Sequence, residues 1–124
     1  MIGKTADSKN YIAAIEPMHG NELAVYTNNY TERILLDSSL KEGHAIGAAD
    51  FLHKGYEQVL AGWRNPDAQG QVGIKLFVPK DKSGKTWDSS WIDENGMACE
   101  DIKIADLDGD GKPDIVASEG LRIM

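Results

Sequence analysis

Residues 99–119 read CEDIKIADLDGDGKPDIVASE, and residues 43–63 read GHAIGAADFLHKGYEQVLAGW. The two stretches lie over one another without a gap, at the constant spacing that separates Asp50 from Asp106. Ala49-Asp50 meets Ala105-Asp106, Gly55 meets Gly111, and Val59-Leu60-Ala61 meets Ile115-Val116-Ala117. A third copy of the last part is IAAIEP at residues 12–17, followed by ELAVYT, which matches GIKLFV at residues 73–78 and the terminal LRIM. Such self-similarity has to be read before any single element, because each repeat is one supersecondary unit that buries its apolar face only against its neighbours.

The segments inside each unit, such as DIKIA, DIVAS, IKLFV and WDSSWI, are short and separated by Gly, Asn, Asp or Pro clusters. Their β-branched and aromatic content is that of strands, and none sustains an apolar period of 3.6 over a dozen residues. The chain is therefore expected to be all-β. Four antiparallel strands recurring at about 50 residues describe a β-propeller blade. On this reading residues 1–124 form a partial β-propeller of about two blades: a partial blade at 11–37, a complete blade at 43–93, and a partial blade at 99–124. A ring needs roughly four to eight blades, so the expectation is a homo-oligomer whose copies complete it, or a piece of a larger propeller. A small β-sandwich is the rival fold.

The bulk composition agrees with a single folded domain: 124 residues, 41% hydrophobic and 27% charged. A net charge of -7 and the absence of a Lys/Arg cluster argue against nucleic acid. The single cysteine, Cys99, cannot close an internal disulfide and belongs to no CxxC pattern. No apolar run approaches the roughly 20 residues of a membrane span, and MIGKTADSKN has no signal-peptide core. Any export signal of a parent protein is expected to have been removed or never to have been part of this chain.

In DLDGDGKPD, Asp106, Asp108, Asp110 and Asp114 stand at positions 1, 3, 5 and 9 of a loop, and Lys112 can offer its backbone carbonyl at position 7. Alternate carboxylates on a tight turn converge on a hard cation, and calcium takes six to eight oxygen ligands. An EF-hand would need Glu at position 12 and a following helix. This chain has Ala117 there, and the β-branched DIVAS follows Pro113. Ca2+ held by a loop between strands is the expectation. A loop of this type in an extracellular module binds at roughly 10⁻⁴ to 10⁻³ M, which suits a calcium-rich compartment.

This motif resembles that of the FG-GAP and VCBS repeat families, whose blades carry DxDxDGxxD loops between their first two strands. The resemblance implies a calcium-stapled propeller, usually secreted, cell-surface or periplasmic, serving adhesion, carbohydrate binding or attachment to an enzyme domain. The earlier copy departs from it. Its loop, DFLHKGYEQ, keeps Asp50 but has Leu52, Lys54 and Gln58 where the other loop has carboxylates. It is expected to bind no calcium, with the Lys54 ammonium either pairing with Asp50 in place of the ion or pointing into water.

Antiparallel parity puts the remaining chemistry at the opposite end of the sheets. His19 and His44 fall there with Glu16, Arg64, Glu100 and Asp101, and His44 aligns with Glu100. Residues at a propeller mouth are candidates for ligand binding or catalysis. His19, His44 and Glu100 are the catalytic candidates; Glu16, Arg64, Asp101 and Trp63 are the ligand-binding ones, Trp63 as a sugar-stacking platform. EPMHG, GWR and GMACED also look like segments of the propeller portions of aldos-2-ulose dehydratase-like proteins, which implies a metal-assisted sugar lyase or dehydratase on that face. Three functions are thus expected to compete: a non-enzymatic calcium-stabilised module that binds or scaffolds a carbohydrate or protein ligand, the sugar-acting enzyme, and a self-assembling structural subunit.

Overall fold

The computed structural model describes residues 2–4, 10–16, 20–27, 30–64, 70–80, 84–94 and 98–119. Every regular element among them is a strand, as the sequence leads one to expect. The strands are β1 (Ile2–Lys4), β2 (Asn10–Glu16), β3 (Glu22–Thr27), β4 (Glu32–Asp37), β5 (Gly43–Ala49), β6 (Gln58–Trp63), β7 (Gly73–Pro79), β8 (Trp87–Glu94), β9 (Cys99–Ala105) and β10 (Asp114–Glu119). They form three antiparallel sheets in chain order: β1 to β4, β5 to β8, and the pair β9–β10. Each strand pairs with its neighbour in sequence, as short hairpin connections require.

The sheets are stacked face to face, and the pattern of side chains says why. Successive residues of a strand point to opposite faces, so a middle sheet must be apolar on both. Strand β6, QVLAGW, is buried at all six positions. Val59, Ala61 and Trp63 pack with Phe77 against Tyr11, Ala13, Leu23 and Val25 of the first sheet. Leu60 joins Ala45, Ile74 and Leu76 against Cys99 and Ile102 of the third. The two aligned hairpins share part of this face pattern. Ile115 and Ala117, counterparts of Val59 and Ala61, face the sheet before their own in the same way, whereas Val116, counterpart of buried Leu60, is 44% exposed.

Tryptophans close the outer edge of the first interface. Trp63 is wholly buried, its ring 5.4 Å from that of Trp91, and its indole N–H donates to the Gln71 carbonyl at 2.9 Å. Trp87 stands edge-on to Tyr11, with centroids 6.0 Å apart. The Lys75 ammonium lies 4.8 Å from the Trp91 ring centre and 3.7 Å from the Asp37 carboxylate of the first sheet. Aromatic faces attract a cation by their quadrupole, so Lys75 ties the two sheets at a point where both charges are largely withdrawn from water.

Candidate metal centre

Two loops emerge at the same end of the stack. The pairs Ala49↔Gln58 and Ala105↔Asp114 end the hairpins there, while Gly43↔Trp63 and Cys99↔Glu119 lie at the other end. The loop between β9 and β10 is built around Asp106. Its Oδ1 accepts from the backbone N–H of Gly109 at 2.9 Å and of Asp110 at 3.2 Å, and its Oδ2 from Gly111 at 2.8 Å. Gly109 and Gly111 have φ of 77° and 80°, the left-handed region that glycine enters without steric penalty. Asp108 accepts from Asp110 N–H, Asp110 from Lys112 N–H, and Asp114 Oδ2 from Leu107 N–H at 2.8 Å.

The curl brings one oxygen of each of Asp106, Asp108, Asp110 and Asp114 within 4.8 Å of the others. Four carboxylates so close repel one another, and donors answer part of that charge. The Gly111 N–H first of all, with the Gly109 and Asp110 N–H groups adding to it, outweighs the desolvation of the group and holds the Asp106 carboxyl below the ordinary range. The residues therefore fit a hard cation: they are convergent oxygen donors, three of them exposed and Asp114 half-buried.

The loop between β5 and β6 has the same backbone and a different centre. Lys54 N–H donates to Asp50 Oδ1 at 2.9 Å and Gly55 N–H to Oδ2 at 2.8 Å, reproducing the bonds of Asp110 and Gly111 to Asp106. Gly55 has φ 83° and His53, in the place of Gly109, has φ 55°. Burial raises the Asp50 carboxyl, but the bonds from Lys54, Gly55 and Gln58, helped by His53, outweigh it and leave the group below its ordinary range. Lys54 thus serves Asp50 through its backbone N–H, and its exposed side chain forms no ion pair with that carboxylate. The partner of Asp50 that the repeat alone did not reveal is Gln58, which is wholly buried and donates from Nε2 to Asp50 Oδ1 at 3.1 Å.

At the opposite end the sequence candidates are separately engaged. Glu16 accepts from the Tyr26 hydroxyl at 2.6 Å and from Arg33 at 3.4 Å. Arg64 lies 3.7 Å from the Glu42 carboxylate, and Asp101 caps the Ile102 N–H at 2.9 Å beside Lys103. Trp63 is no stacking platform: both faces of its indole are inside the core, where its hydrophobic area is better satisfied than in water. His19 lies outside the described residues. His44 and Glu100 are placed by their backbones near the start of β5 and β9, at the end away from the two loops.

No family model, curated protein or solved structure significantly matches this sequence.

Proposed function

We propose that the chain is a calcium-stapled stack of propeller-type blades that serves as a binding or scaffolding module for a carbohydrate or protein ligand, its ring completed by further copies or by further blades of a parent protein. The observation that carries the calcium reading is the convergence of four carboxylate oxygens at separations up to 4.8 Å. Calcium takes six to eight oxygen ligands from carboxylates, backbone carbonyls and water, and the loop offers donors of the first two kinds. Asp106, Asp108, Asp110 and Asp114 would supply side-chain oxygens and Lys112 its carbonyl. The serial stacking of the sheets and the recurrence of the same face pattern from β5–β6 to β9–β10 support the blade reading.

A ligand bound only by the folded state stabilises it by about 2.7 kcal/mol at one hundred times its dissociation constant. For a domain of this length that is a rise in Tm of roughly 10 °C. Thermal melts in 10–20 mM calcium and in EDTA are expected to differ by about that amount for the wild type and by nothing for Asp108→Asn. Identical wild-type melts would refute calcium stapling.

A further inference from the structure

The Gln58 side chain is bonded to the residues that, in the other loop, stand at cation-ligand positions. Its Nε2 donates to Asp50 Oδ1 at 3.1 Å and to the Tyr56 carbonyl at 2.6 Å. Asp50 is the counterpart of Asp106, at position 1, and Tyr56 is the counterpart of Lys112, whose carbonyl would occupy position 7. Its Oε1 accepts from the N–H of Leu52, the counterpart of Asp108. Gln58 itself replaces Asp114. The two N–H bonds of one carboxamide thus bridge a carboxylate and a carbonyl, as an ion would bridge their counterparts.

We infer that the 50–57 loop is a cation-independent lock in which the Gln58 carboxamide holds the place of the metal ion. The surroundings explain the exchange of one device for the other. This loop lies against the first sheet, where the buried Tyr11 hydroxyl donates to the Glu57 carbonyl at 3.3 Å, and Gln58 is wholly out of contact with water. Residues 52–55 are exposed, but a carboxylate in the wholly buried place of Gln58 would carry a desolvation penalty. A neutral amide whose two donors and one acceptor are all engaged carries little. In the other loop residues 106–112 are exposed and Asp114, the counterpart of Gln58, is only half-buried, so a carboxylate there escapes that constraint. The molecule therefore holds one cation-responsive loop and one indifferent to cations, built on a common backbone. The contrast rests on the calcium reading, while the lock itself rests on Gln58 alone.

Amide hydrogen exchange followed by NMR on the full chain separates the two. On moving from calcium to EDTA, Gly109 and Gly111 are expected to exchange about tenfold faster or more, while Lys54 and Gly55 change less than about twofold, and a calcium titration saturates at one ion per chain. Gln58→Ala is expected to speed Lys54 and Gly55 about tenfold with calcium present or absent. Loss of Lys54 and Gly55 protection in EDTA, a second ion at this loop, or unchanged exchange in Gln58→Ala would overturn the lock. Indifference of Gly109 and Gly111 to calcium would defeat the calcium reading and leave the lock to be judged on the Gln58→Ala response. The wild-type comparison needs no substitution, so the proposal stays testable if that variant does not fold.

Discussion

A methyl group added at Gly62 probes how closely the second and third sheets approach. An alanine Cβ there would stand 2.7 Å from both Cβ and Sγ of Cys99, about 1 Å inside an ordinary carbon contact of roughly 3.5–4.0 Å. Sγ can rotate away, but Cβ is fixed to the backbone of β9, so relief requires the strands themselves to part. Overpacking of this kind costs about 2–3 kcal/mol. At about 4 °C per kcal/mol for a chain of this length, Gly62→Ala is expected to melt roughly 8–12 °C below the wild type in calorimetry with calcium in excess. Gly47→Ala is the control. Its Cβ would meet Ile104 Cδ1 at 2.5 Å, a terminal methyl able to swing aside, and the next atoms only at 3.5 and 3.7 Å, so about 1 kcal/mol is expected. A Gly62→Ala melt within 2 °C of wild type, or a larger loss at Gly47→Ala, would refute the packing argument.

Two other perturbations follow from the charged groups. Asp50 and Asp106 both titrate below the ordinary carboxylate value of about 3.9, so the stability they contribute is present above that pH and lost as pH falls through their folded pKa values. In EDTA, Asp50→Asn is expected to flatten the fall in Tm below about pH 4, and an unchanged acid slope would show that Asp50 carries none of it. Lys75→Met removes the ammonium between Trp63, Trp91 and Asp37, and is expected to cost about 2 kcal/mol in urea unfolding. A double-mutant cycle with Asp37→Asn should return a coupling of about 1 kcal/mol, and zero coupling would dissolve the ion pair.

Much of the architecture was legible because the repeat carries it. Aligning residues 43–63 with 99–119 places both hairpins, both aspartate loops and the inward faces of β6 and β10, since a period of two along a strand leaves no freedom once one apolar residue is assigned a side. The clustering of Asp106, Asp108, Asp110 and Asp114 is equally a property of spacing on a tight turn. Strand β1 was not legible, because three residues, Ile2–Lys4, are too few to display an alternation. Nor was the role of Gln58. In the alignment it reads as a lost ligand, and charge complementarity directs attention to Lys54, whereas burial favours the neutral donor. The alignment also sets Gly47 and Gly62 against Lys103 and Ser118. The first two meet Ile104 and Cys99, while the latter two are exposed, a difference that depends on whether another sheet lies beyond.

The position of Cys99 makes the chain report on its own opening. Its thiol is wholly buried between β6 and β9, beside Gly62, and it is the only cysteine in the sequence. A thiolate reacts only where reagent reaches it, so alkylation has to wait until the β9–β10 hairpin lifts from the sheet it covers. When reclosure outpaces labelling, the ratio of the observed rate to that of an unstructured cysteine is the equilibrium constant for lifting, and its free energy is a local quantity distinct from global unfolding. The last hairpin thereby becomes a latch whose hold can be timed on the intact protein, one thiol at a time, and a difference in that rate between calcium and EDTA would measure any grip that the proposed ion exerts from the loop at its tip.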